Sequence, residues 1–292
     1  MTNFRQTDWL DSQLYPFKSN FIPLHNGKMH YVDEGAGDLL LLVHGTPTWS
    51  FLFREYIRQL SKNYRCIAID HIGFGLSEKP ENLAGTPEFH AKNLAEFIEK
   101  LGIENITLVV HDFGGPIGLG AANAMPEKIK QIVLFNSWLW EIDNLPAIKK
   151  ADKLINSWLG KILYLHFSFS PKVLLKQGVA NKQNFTKKLH RHYLKPFPNK
   201  QSRHSLLAIA RSLAGASAWY QEQWQHLEPL TQKPWLILWG EQDKFFDVSF
   251  LEKWESRIPH AMVRRYDCGH FVQEEKAEET IQEIRNFMEL KF

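Results

Sequence analysis

The chain has 292 residues and a mass of 34.1 kDa, room for two compact units or for one large α/β core with an insertion. Its 44% hydrophobic and 23% charged residues exclude intrinsic disorder, collagen-like repeats and coiled coils, and a net charge of +3 selects no class of partner. No stretch approaches the roughly 18 uninterrupted apolar residues of a transmembrane helix, and Met1 to Leu10 lack the apolar run of a secretory signal, so the default expectation is a cytoplasmic protein. Cys66 and Cys268 have neither CxxC nor CxxH spacing. Neither a disulfide framework nor a zinc site is expected, and nothing in the pattern calls for another metal, an organic cofactor or a nucleic-acid partner.

In chain order, Phe21–Leu24 and Lys28–Val32 read as strands joined by Asn26-Gly27, a hairpin signal. Leu39–Val43 is a continuous apolar run that suits a strand buried on both faces. Cys66–Ile69, Ile106–Val110, Ile132–Phe135, Trp235–Leu238 and Met262–Tyr266 repeat the theme. Between strands, Pro87 to Leu101 reads as a helix, with Thr86 as N-cap, Pro87 at its first position and Phe89, Leu94, Phe97, Ile98 and Leu101 as its apolar stripe. Strands alternating with helices predict a mostly parallel central sheet with helices on both faces. The alternation fails from Ser137 to about Leu230, an aromatic-rich segment with helix-like pieces at Val173–Ala180 and His204–Leu213. This divides the chain into a first core part, 1–136, an inserted helical cap, 137–230, and a second core part, 231–292. From Glu141 to His204 there are thirteen Lys and Arg against three acids. A solvated surface is the simple reading of that bias, and a docking face for an anionic partner or membrane is the sharper one. No internal repeat or low-complexity linker is present.

The chemistry-bearing residues sit just after the strands. His111-Asp112-Phe113-Gly114-Gly115 puts a polar residue on a strand-to-helix turn with small residues behind it, the arrangement of a nucleophile elbow. The bland alternative makes Asp112 a helix N-cap. His44-Gly45-Thr46-Pro47 follows a buried strand, and there the Thr46 N–H, with that of Phe113, could form an oxyanion hole. Asp70 to Ser77, with Gly73-Phe74-Gly75, is a tight loop without a phosphate-binding pattern. Trp239 to Asp243 and Asp267 to His270 follow the last two strands, and the order Asp112, Asp243, His270 is that of nucleophile, acid and base on this architecture. Glu241 and Asp247 compete with Asp243 for the acid role, and Asp267 could pair locally.

Together, His44 to Ser50, Asp70 to Pro80, His111 to Gly115, Trp239 to Asp243 and Gly269 to Glu274 resemble the α/β-hydrolase superfamily, most closely its haloalkane dehalogenase-like branch. The resemblance covers nearly the whole chain, including a cap after the sixth strand, where Tyr193 to Phe197 also looks like this branch. It implies Asp112 as nucleophile, His270 as base, Asp243 as the acid that orients it, and Thr46 and Phe113 as oxyanion-hole donors. Some relatives carry the acid after the sixth strand; Asn136 stands there, which favours Asp243. Two departures concern the leaving group. Haloalkane dehalogenases usually have Trp after the nucleophile and Asn or Glu after the His-Gly pair, both for the halide, where this sequence has Phe113 and Thr46. Epoxide hydrolases use two cap tyrosines, for which Tyr164, Tyr193 and Tyr220 are candidates. Fluoroacetate-type relatives usually follow the nucleophile with Arg, so Phe113 argues against them.

An aspartate nucleophile suits attack on saturated carbon, which yields an ordinary ester, whereas attack on a carbonyl would yield a high-energy anhydride. His270 would then direct water onto the Asp112 carboxyl carbon. Trp138, Trp140, Trp158, Tyr164, Phe167 and Phe169 are expected to give the cap an apolar ceiling, with Trp138 and Trp140 as substitute donors for a leaving halide. The leading expectation is cleavage of a carbon–halogen bond in a small hydrophobic substrate, with water as co-substrate. An epoxide or a lactone is the alternative within the class. A noncatalytic receptor on the same fold is the alternative outside it, against which the intact Asp112, Asp243 and His270 set speaks. Oligomeric state is left open.

Overall fold

The computed structural model describes residues 8–81, 83–183 and 185–290. The first seven residues of the stretch read for a leader lie outside them. Among the described residues one sheet has eight strands: β1 (Asn20–Leu24), β2 (Gly27–Glu34), β3 (Leu39–Val43), β4 (Arg65–Ile69), β5 (Ile106–Val110), β6 (Ile129–Phe135), β7 (Trp235–Gly240) and β8 (Met262–Tyr266). Their spatial order is β1-β2-β4-β3-β5-β6-β7-β8. β1 pairs antiparallel with β2, and β2 with β4; every later pairing is parallel.

The apolar runs become central strands because both sheet faces are covered. Leu39, Leu41 and Val43 enter one core layer with Leu94 and Phe97, and Leu40 and Leu42 enter the other with Tyr56 and Ile284. The helices α1 (Arg54–Leu60), α2 (Pro87–Leu101) and α3 (Gly114–Ala124) follow β3, β4 and β5. α2 has the bounds read from sequence. Thr86 accepts from Phe89 N at its start, and Gly102, at φ +60°, ends it in a left-handed cap.

The hairpin turn is one residue out of the expected place. Leu24 pairs with Gly27, so His25 and Asn26 form the turn and Gly27, at φ +139°, opens β2. Between β6 and β7 the structure is helical: α4 (Pro146–Asn156), α5 (Trp158–Phe167), α6 (Leu175–Gly178), α7 (Lys187–Leu194), α8 (His204–Gly215), α9 (Ser217–Gln225) and α10 (Glu228–Thr231). The helix expected over Val173–Ala180 begins earlier, as a π-helical turn over Ser170–Leu174, and stops at Gly178, whose backbone is pinned against Phe245 and Phe271. α9 and α10 contact α3. α11 (Val248–Arg257), α12 (Val272–Glu275) and α13 (Ala277–Glu289) complete the described chain, and α1 and α13 pack together on one face. Among the described residues no helix is long and apolar enough to cross a membrane.

Candidate active site

The carboxyl ends of β3, β5, β7 and β8 open at one edge of the sheet, beside the point where the strand order reverses. Asp112 stands in the turn from β5 to α3 with φ +54°, a left-handed conformation that costs a non-glycine residue on the order of 1–3 kcal/mol. Its backbone is fixed on both sides: its N–H donates to Asn136 O (3.0 Å), and its carbonyl accepts from Ser137 Oγ (2.6 Å). The carboxylate does not cap α3. It reaches across to the loop after β3, where Thr46 N donates to Oδ1 at 2.7 Å. This approach requires Gly45, since a Cβ there would overlap the Asp112 carboxylate.

The second oxygen, Oδ2, lies 3.4 Å from His270 Nε2, and His270 Nδ1 is 2.7 Å from Asp243 Oδ2. Asp243 accepts further bonds from Phe245 N at Oδ1 (2.7 Å) and from Asn136 Nδ2 at Oδ2 (2.8 Å). Burial opposes a charged His270, but the Asp243 and Asp112 carboxylates outweigh it and push the imidazole up to about 10. His111, directly after β5, underlies His270. Its Nε2 donates to His270 O (2.9 Å), and burial together with the His270 charge holds its own pKa well below the usual range. The competing acids are elsewhere: Glu241 pairs with Arg265, Asp247 caps α11 through Ser249 N, and Asp267 accepts from Gln242.

A cavity of about 230 Å³ lies above Asp112. Thr46, Phe113 and His270 share its floor; α4 contributes Ile148, Ala151 and Ile155, α5 Tyr164, and α8 Ala210 and Leu213. Of the three candidate tyrosines only Tyr164 reaches it. The Tyr193 hydroxyl donates to Glu274, which also holds Arg54 through two bonds (2.6 and 2.7 Å), and Tyr220 donates to Ser212 O (2.8 Å). Trp138 is fully buried one layer back, edge-on to Phe113 at 4.9 Å, and its Nε1 has no partner among the described residues. Trp140 is remote from the cavity, packed among Trp224, Phe250 and Trp254. Trp158 and Phe167, expected in the ceiling, are 76% and 59% exposed. Neither lines the cavity.

A family model described as the alpha/beta hydrolase fold matches residues 38–277. The chain belongs to the α/β-hydrolase fold family. Among curated relatives of this hydrolase, a cis-3-alkyl-4-alkyloxetan-2-one decarboxylase of Shewanella oneidensis is 36% identical, over 94% of this chain and 89% of its own. Haloalkane dehalogenase 2 of Mycobacterium bovis is 32% identical, over 91% and 93%. The structure of the haloalkane dehalogenase DatA from Agrobacterium tumefaciens C58 matches with a TM-score of 0.85 at 26% identity, over 95% and 98%. This protein is a haloalkane dehalogenase-like α/β hydrolase, and an enzyme.

Two residues of this hydrolase's site escaped the sequence reading. Asn136 entered it only as a vacant acid position, yet it is a hub. Its carbonyl holds Asp112, its amide donates to Asp243, and its side chain brackets Gly240 N (2.8 Å) and O (3.0 Å). Lys244 lines the cavity beside the aromatic pair Phe245 and Phe246. Its position next to Asp243 was the available signal.

Proposed function

We propose that this enzyme opens strained lactones, the 3,4-dialkyl oxetan-2-ones, with Asp112 as nucleophile, and releases an alkene and CO₂. The observation that carries the reading is a carboxylate with one oxygen held by Thr46 N, set beneath an apolar cavity and flanked by Phe113, whose ring offers no N–H to a departing anion. The curated relative that acts on such a lactone supports the same choice.

In this mechanism Asp112 Oδ2 attacks ring carbon C4, the C4–O1 bond breaks, and a carboxylate is unmasked on C3. The C2–C3 electron pair then forms the C3=C4 double bond as CO₂ leaves, and the C4–O bond to Asp112 breaks with its pair returning to the carboxylate. Atoms balance without water. Each alkyl chain lies against α4 and α8. The His270 imidazolium, held by Asp243, offsets the charge that returns to Asp112. Inversion at C4 followed by anti elimination turns a cis lactone into a cis alkene.

A second reading, dehalogenation, is favoured by a buried hydroxyl on the cavity floor without a partner among the described residues, Thr46 Oγ1. There the alkyl ester must be hydrolysed, with Thr46 N and Phe113 N holding the oxyanion at Oδ1. Esterification removes the Asp112 charge, one cause of His270's high pKa, so the imidazole becomes more able to act as base when water must be activated.

The test incubates the purified enzyme with a cis-3,4-dialkyl oxetan-2-one and with 1-bromoalkanes, reading alkene and halide. The lactone reading expects cis alkene in step with lactone loss, abolished by Asp112→Asn but only reduced by His270→Gln. Halide release with an Asp112 ester accumulating in His270→Gln would establish the second reading. A β-hydroxy acid as the sole lactone product would sink the first.

A further inference from the structure

We infer that the outer face of α4 and α5 is a docking surface for an anionic lipid bilayer. The inference stands on surface composition and does not depend on which substrate the cavity takes. α4 is two-sided: Ala147, Ile148, Ala151 and Ile155 line the cavity, while Lys149, Lys150, Lys153 and Leu154 face solvent. The next helix continues the outer face with Trp158 at 76% exposure, Leu159 at 43% and Lys161, and ends in Phe167. A contiguous run that leaves a tryptophan three-quarters exposed beside two leucines is unusual for a free surface. Indole and leucine interleaved with lysine is the composition of a helix lying in a membrane interface.

Charge names the occupant. The segment 141–204 holds thirteen basic and three acidic residues, a surplus of ten, so with a net charge of +3 the rest of the chain carries a net charge of −7. Among the described residues Lys149, Lys150, Lys153 and Lys161 have no ion-pair partner, and Asp152 is the one acid on either helix. An uncovered face with unneutralised lysines repels a second copy of itself, which disfavours a symmetric dimer through this patch. An anionic bilayer satisfies both halves of the composition at once: its headgroups take the lysines, and its acyl boundary takes Trp158 and Leu159. Docking would place the helices that roof the cavity at the source of water-insoluble substrates.

The experiment is co-sedimentation of the full chain with vesicles of phosphatidylcholine alone and of phosphatidylcholine mixed with phosphatidylglycerol. Binding is expected to the anionic vesicles only, to weaken with added salt, to fall at least about tenfold in Lys149→Glu/Lys150→Glu/Lys153→Glu and severalfold in Trp158→Ala. Far-ultraviolet circular dichroism of both variants checks that these surface changes leave the fold intact. Absence of binding to the anionic vesicles overturns the proposal, as does binding that neither variant weakens. Sedimentation velocity showing a dimer that Trp158→Ala dissociates would assign the face to self-association instead.

Discussion

The floor and the roof of the cavity are held by different forces. Below, Asp112, Asp243, His270 and Asn136 are joined by directional bonds of 2.7–3.4 Å, and each backbone turn that presents them is tied to another loop. Above, α4, α5 and α8 meet the cavity mainly through alkyl groups, which constrain volume but not identity. A site built this way holds its polar groups in one arrangement below and leaves the shape of the space above them free to vary.

The contrast can be broken from below. Asp243→Asn should lower turnover by about 10³–10⁴-fold if an Asp112 ester must be hydrolysed, and only reduce lactone decarboxylation, because His270 loses the carboxylate that sets its orientation and stabilises its charged form. Glu241→Gln and Asp247→Asn should change it little. Steady-state kinetics on all three variants decide the assignment, and a larger loss in either control would move the acid. Asn136→Ala should cost the fold about 1–3 kcal/mol, chiefly because the buried Gly240 N–H loses its side-chain acceptor. A denaturant titration with an unchanged midpoint would refute the hub role.

The pH dependence of stability sharpens the same comparison. His270 is raised to about 10 in the folded enzyme, so its contribution is fully present below the unfolded value of about 6.5 and is lost as pH rises through about 10. His90, fully buried, is pushed down to about 3 by burial and by the His44 charge. Its contribution has the opposite sign, present above about 6.5 and lost as pH falls through about 3. Melting temperature should therefore fall on both sides of neutrality, and Asp112→Asn should lessen the alkaline fall by removing one of the two charges that raise His270. Smallest is the roof. Ile155→Val should cost about 0.5–1.5 kcal/mol and shift the preferred chain length of the substrate through KM, with kcat nearly unchanged. A change in kcat alone would mean the roof takes part in the chemistry.

What could be read in advance follows the same division. β3 was legible because five apolar residues in a row have no other place than a sheet covered on both faces, and β5 because four of its five residues are apolar and its whole length is buried. α2 was legible because Thr86 and Pro87 act locally at its start and an apolar stripe at helical spacing marks its length. The turns carrying Asp112, Asp243 and His270 were legible because each comes within four residues of a strand end, although β8, before His270, is an edge strand with Arg264 and Arg265 exposed. Asn136 was not, since its amide acts on partners 104 and 107 residues away. Tyr193 and Tyr220 could not be sorted from Tyr164, because a tyrosine's role in the helical segment depends on which distant acceptor claims its hydroxyl. Trp140 went to the wrong place for a similar reason: its neighbours Trp224, Phe250 and Trp254 come from α9 and α11.

The buried trio of Arg54, Glu274 and Tyr193 bears on how such enzymes can be recombined. The helical segment enters after β6 and leaves before β7, so two crossovers would in principle transplant it whole onto a related core. Its Tyr193 hydroxyl, however, is a partner of Glu274, a residue of α12 that sits four positions beyond His270 and is already clamped by Arg54. A donor segment without a hydroxyl at that place would leave Arg54 as the remaining donor to a buried carboxylate oxygen just past the histidine, at a cost of about 1.5–3 kcal/mol for a lost hydrogen bond to a charged group. Chimeras should therefore be viable in matched sets, with positions 54, 193 and 274 inherited together.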